Sequence, residues 1–141
     1  MIKFDIEKYA SYFHDGIVFD LKHEENKINI AMESAELRPA WNQDNIILSK
    51  RRTISGRLHL EKIKTIKVNE KLCHDELVKS YDEGNIYHFE IKNMSLKLEV
   101  SWENYPPKPK EETDVFTIEI EAEKIYWENI PTLFDVYWNS L

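Results

Sequence analysis

Between Met94 and Trp102 every second side chain is apolar: Met94, Leu96, Leu98, Val100 and Trp102 alternate with Ser95, Lys97, Glu99 and Ser101. Successive side chains of a strand point to opposite faces, so this period predicts a strand with one apolar and one wet face. The device recurs where Phe116, Ile118, Ile120 and Ala122 alternate with Thr117, Glu119, Glu121 and Glu123, and where Tyr87, Phe89 and Ile91 precede the first run. Half-wet strands belong to antiparallel sheets. A doubly wound parallel sheet needs continuous apolar strands separated by long helices, and the chain has no such helical stretches.

The rest of the chain extends this pattern. Ile17, Phe19 and Leu21 share one face of a run, and after "EEN" Ile28, Ile30 and Met32 share one face of the next, which predicts a hairpin. Pro39 and a cluster of amide and acidic side chains predict a loop over 34–45 that carries Trp41, with strand character returning at 46–49. In 53–69, Ile54, Leu58, Leu60, Ile66 and Val68 keep one parity while Ile63 is out of step. That predicts two short strands, or one bent strand with a bulge near Lys62. Ile6, Tyr9, Ala10 and Phe13 fall on one helical face behind Asp5 as a cap, and "DG" at 15–16 ends that helix with a glycine able to turn left-handed. Residues 73–85 suit a brief helix or a loop ending at Gly84, and the tail after Pro131 suits a short helix or turn. The fold expected is mainly β, an antiparallel sandwich or a curved barrel-like sheet with short helices at the N- and C-terminal ends. A single domain covers 1–141, since a chain of this length buries roughly 68% of its unfolded surface.

Composition narrows the classes of function. The formal charge is −7, from 26 acidic and 19 basic side chains, which disfavours a phosphate backbone as ligand. The basic residues of "SKRR" at 49–52 and Arg57, Lys62, Lys64 and Lys67 lack the interleaved aromatics of single-strand binders, so no nucleic acid is expected. The charged start "MIKFDIEKYA" carries no apolar core of a signal peptide, and no run approaches a membrane span. One cysteine, Cys73, excludes an internal disulfide and four-cysteine metal clusters. These features predict a cytoplasmic protein with no membrane association.

The stretch "YFHDG" at 12–16 poses the main chemical question, because a histidine beside an aspartate suits acid–base work or metal binding. Adjacent side chains diverge unless the backbone turns sharply, and no second ligand pair stands at a recognised spacing. The expectation is a structural turn in which Asp15 bonds a backbone amide and His14 packs under the helix end. His59 with Glu61 and His88 with Glu90 each share a strand face and would supply four metal ligands if their strands were neighbours. Cys73 beside His74 reads as a small packed hydrophobe. No serine elbow and no glycine-rich phosphate cradle exist, so neither catalytic residues nor cofactor are assigned.

Two surfaces remain for a partner. Trp102 and Trp127 continue apolar stripes and are expected in the core, whereas Trp41 lies in a polar loop and is available to a partner. Glu119, Glu121 and Glu123 project from one strand face as an acidic stripe suited to a basic protein, or else balanced by Lys97 on a neighbouring strand. The pattern "FHDG" followed by a strand and a hairpin, residues 13–32, resembles small bacterial β-rich proteins that include immunity-type proteins of toxin systems. The resemblance implies a cytoplasmic binding protein without a catalytic centre. The expected function is therefore non-enzymatic, possession of a basic protein partner; the alternatives are a sandwich binding a small molecule or carbohydrate, and a metal-dependent enzyme.

Overall fold

The computed structural model describes residues 5–77, 83–103 and 115–135. Seven strands form one antiparallel sheet: β1 (Ile17–Glu24), β2 (Lys27–Glu33), β3 (Ser55–Val68), the short β4 (Lys71–Leu72), β5 (Glu83–Lys92), β6 (Ser95–Glu103) and β7 (Val115–Asn129). The order β2-β1-β5-β6-β7-β3 closes on itself because β2 also pairs with β3, from Lys27 opposite Glu61 to Glu33 opposite Ser55. The molecule is thus a closed six-stranded barrel, and not a sandwich. Both architectures leave one face of each strand wet, so alternation alone did not distinguish them. The β2–β3 pairing decides, because it joins the two ends of the strand order; beyond Ile86, β5 keeps a stretch without a second strand neighbour among the described residues.

β3 and β7 are the long members and pair along most of their lengths. The register of that pair shifts between Ile63 and Thr65, and Lys62 takes a left-handed φ of 55°. One bent strand with a bulge near Lys62 is therefore the correct alternative. The bend keeps Leu60 and Ile66 inside although Ile63 between them changes parity. Two further bulges were not legible in the sequence. The β1–β2 register shifts between Val18 and Asp20, so Val18 and Leu21 point into the barrel while Phe19 lies outside with Ala31 and Leu133. Ile17, Phe19 and Leu21 do not share a face. Likewise the β5–β6 register shifts between Ile86 and His88, which puts Ile86, Phe89 and Ile91 inside and leaves Tyr87 exposed.

The barrel is filled by Leu58, Leu60, Leu96, Leu98, Ile118 and Ile120 among others, in one continuous cluster that also takes in Trp102 and Trp127. Its N-terminal plug is α1 (Ile6–Tyr9) and the 3-10 turn Ala10–Phe13, capped by Asp5, whose carboxylate accepts from the Glu7 amide at 3.1 Å. The predicted stripe Ile6, Tyr9, Ala10 and Phe13 is buried, and Phe13 meets Phe89 and Trp127 edge to face. Residues 46–49 form no strand, and among the described residues no strand pairs with them. Gly84 lies within β5, and 73–77 contains no helix; the remainder of that predicted segment to 82 lies outside the described residues. A helical turn starts at Leu133.

Buried charge is neutralised locally. Glu33, almost wholly buried, accepts from Thr53 Oγ1 and from Arg51 at 2.8 Å, and the Arg51 guanidinium lies 3.4 Å from the centre of the Phe134 ring.

The β5–β6 hairpin turns through Asn93 and Met94 at φ 52° and 61°. This two-residue turn favours glycine second, and a bulky residue in that conformation is strained. Met94→Gly should therefore raise stability by about 0.5 kcal/mol, the relief of left-handed strain less the entropy of glycine. A rise in the urea midpoint at unchanged slope checks it.

Candidate functional site

The N-terminal segment stands between two surfaces. One side of it meets the 34–54 loop that joins β2 to β3, and the other runs beside β5. The loop is fixed at many points. Its base is laddered by Ser34 N to Ile54 O at 2.8 Å and Leu37 N to Arg52 O at 2.8 Å, with the Leu37 side chain fully buried. Pro39 opens a 3-10 turn over Pro39–Trp41, as its fixed φ allows. Asn42 then clamps Ile46, accepting from its amide at 2.8 Å and donating to its carbonyl at 3.0 Å, and Asn129 of β7 donates to the Ile47 carbonyl at 2.9 Å.

Asp44 latches this loop to the N-terminal segment. Its Oδ2 accepts from the Tyr9 hydroxyl at 2.6 Å and from Lys8 at 3.0 Å. The Tyr9 hydrogen bond, and after it the Lys8 one, hold Asp44 below the usual carboxylate range; burial and then Asp44 push the Tyr9 phenol up. A depressed carboxylate contributes stability that is present above its unfolded pKa and lost as pH falls through the folded one. A raised phenol contributes stability that is lost as pH rises through its folded value. The latch should hold from about pH 4 to about pH 10. Asp44→Asn should flatten the acid limb of stability against pH, which denaturant midpoints measured from pH 2.5 to 7 will show.

The fixed loop presents Trp41, 39% exposed. Its ring stacks on Tyr12 with centroids 5.3 Å apart and 16° between planes, and the Arg38 guanidinium lies 5.0 Å from its centroid. Tyr12 in turn leans on Tyr9 at 6.0 Å. Ile47, 72% exposed, adds an apolar side chain one residue beyond the Asn42 clamp. Trp102 and Trp127 are buried, whereas Trp138 lies outside the described residues.

The acidic stripe is interleaved with cations. Glu119 stands in register between Lys67 of β3 and Lys97 of β6, and Lys97 is itself opposite Glu90 of β5. Glu121 faces Thr65 and Ser95, and Glu123 lies 3.8 Å from Lys62. Opposite charges across strands favour the sheet, so this face reads as a balanced ladder.

The "YFHDG" turn has a different construction from the one expected. Asp15, and not Gly16, is left-handed, at φ 67°; its side chain is 78% exposed and bonds no backbone amide of the described residues. The turn is held by backbone bonds of Asp15 N to Ile86 O and Ile86 N to Gly16 O, both 2.9 Å, and His14 does not pack under the helix but bonds the Tyr87 carbonyl through Nδ1. Gly16 serves close approach instead. A Cβ there would lie 2.2 Å from the Glu33 carbonyl oxygen.

His59 and His88 do not converge, because β7 and β6 separate β3 from β5. His59 bonds Glu128 at 2.8 Å and stacks on Tyr126, whereas His88 faces Glu90 at 3.4 Å. Among the described residues no three metal-ligating side chains gather. Cys73 is half-buried against the core. No described helix is long and apolar enough to cross a membrane. A groove of about 500 Å³ between α1 and β5, lined by both His14 and His88 although they stand 74 positions apart, leaves no mark in the sequence.

Comparison with known proteins finds no family model, no curated protein and no solved structure that matches this chain.

Proposed function

We propose that this chain is a non-enzymatic interaction protein that binds a basic protein partner through the 34–54 loop, with Trp41 as the anchor. The observation that carries the reading is an exposed tryptophan held in place by Tyr12 and Arg38. Tryptophan, tyrosine and arginine are the residue types that dominate binding hot spots, and a pre-ordered loop loses little entropy on association. The charge of −7 supplies long-range attraction for a basic protein from the surface around the loop, since the 34–54 loop itself carries Arg38, Lys50, Arg51 and Arg52 against Glu36 and Asp44. An immunity-like role, neutralising a toxic partner in the cytoplasm, is the specific form of this reading.

The carbohydrate alternative is weaker at Trp41, since Tyr12 and Arg38 compete for the ring faces a sugar would use. The glutamate stripe is weaker too, its charge being shared with Lys62, Lys67 and Lys97. Co-expression with each basic protein encoded beside this gene tests the proposal. Relief of that protein's toxicity together with a stable complex is the expected result; unrelieved toxicity and no complex would overturn it.

A further inference from the structure

The groove beside α1 follows a strand edge. β5 pairs with β1 only at Gly84 and Asn85, followed by the two bonds around Ile86, so from Tyr87 to Lys92 its only strand neighbour among the described residues is β6. The β5–β6 hairpin closes with Lys92 opposite Ser95 across two turn residues. In such a hairpin the closing pair is hydrogen-bonded and bonding alternates along the strand, so Phe89 and Ile91 direct their N–H and C=O groups away from β6. No bond from the described residues meets those groups. The edge is about 17 Å long by strand geometry, the length of a six-residue strand.

Its surroundings are those of a receptor. Glu7, Ser11 and His14 line the helix side, and His88, Glu90 and Lys92 line the strand side. Asp15 adjoins at the His14 end, 3.7 Å from Nε2. At the groove and its His14 end three carboxylates thus stand with one lysine, Glu90 also having Lys97 of β6 opposite it and His88 at 3.4 Å.

We propose that the groove between α1 and the open edge of β5 takes an extended basic segment of a protein partner, which adds to β5 as a strand. Main-chain hydrogen bonds to Phe89 and Ile91 supply the register, and Glu7, Glu90 and Asp15 select cationic side chains. The inference rests on the reading of a basic protein partner but uses a surface separate from Trp41.

The test is titration of the whole protein with blocked hexapeptides, followed by amide NMR and hydrogen exchange. A peptide alternating lysine and threonine should shift the amides of Phe89, Ile91 and residues 7–14, and slow exchange at Phe89 and Ile91 about tenfold. The glutamate–threonine counterpart, and the lysine peptide with proline at its centre, should do neither. The exposed double variant Glu7→Lys with Glu90→Lys, shown folded by an unchanged melt, should weaken the lysine peptide at least about tenfold at low salt. Trp41→Ala should leave peptide binding intact, so failure of the loop surface and failure of the groove give different results. Equal binding of the acidic peptide, shifts centred elsewhere, or Phe89 and Ile91 amides in the free protein exchanging as slowly as those of Leu58 and Leu98 would each overturn the proposal.

Discussion

Gly56→Ala should lower stability by about 3 kcal/mol, and Gly16→Ala by a similar amount. Gly56 sits near the start of β3 between β2 and β7, where a Cβ would lie 2.0 Å from the Glu128 carbonyl oxygen and 3.0 Å from the Ile130 amide. Gly16 is pressed against the Glu33 carbonyl at the same end of the β2–β3 pairing, one register position from Gly56. Both obstacles are backbone within a closed barrel, so no side-chain rotation relieves them, and one strand must move away from its neighbour. Glu33 would carry its buried contact with Arg51 along with it. Gly84 is the control, because its Cβ would meet the side chains of Val100 and Trp102, which have some freedom to adjust. The expected loss at Gly56 corresponds to a fall in melting temperature of about 10 °C for a chain of this size. Thermal melts of the three alanine variants check the order, with Gly84→Ala the mildest.

The glycines also show where sequence reasoning stopped. Gly16 stood after an aspartate at a helix end, which suggested left-handed backbone. No glycine here has positive φ, while Asp15, Lys62 and Met94 do. Close approach of another strand depends on tertiary pairing that local sequence does not contain. The same limit applies to the strands. Alternation in β6 and β7 located their inner faces correctly, because both run without a bulge through Leu96–Trp102 and Ile118–Ala122. In β1 and β5 a single inserted residue reversed the parity of Phe19 and Tyr87, and an insertion leaves no mark in a short run. Ile46, Ile47 and Leu48 looked like strand because they are apolar, yet Ile46 and Leu48 pack on the core from an unpaired loop while Ile47 faces water. Trp41 was legible, since a tryptophan after Pro39 amid polar residues interrupts every apolar stripe. The groove was not, because its walls come from 7–14 and 87–92 and meet only through the pairing of β1 with β5 and the backbone bonds around Ile86.

Trp41→Ala should abolish most of the affinity for a protein partner while leaving the fold intact. The indole is outside both hydrophobic clusters, so its removal opens no core cavity, and the loop keeps Leu37, the Asn42 clamp and the Asp44 latch. What is lost is the anchor, together with the ordering of Tyr12 and Arg38 around it. Truncation of such an anchor costs about 2–4 kcal/mol of binding, or roughly 30- to 1,000-fold in Kd. Arg51→Ala is the contrasting variant: it leaves the Trp41 ring in place and removes the partner of buried Glu33, so it should lower stability, which Trp41→Ala should not. Calorimetric titration of the wild-type and Trp41→Ala proteins with the basic neighbour that forms a complex is the most direct measurement. The account predicts at least about a 30-fold rise in Kd with an unchanged melting temperature. An unchanged Kd would contradict it.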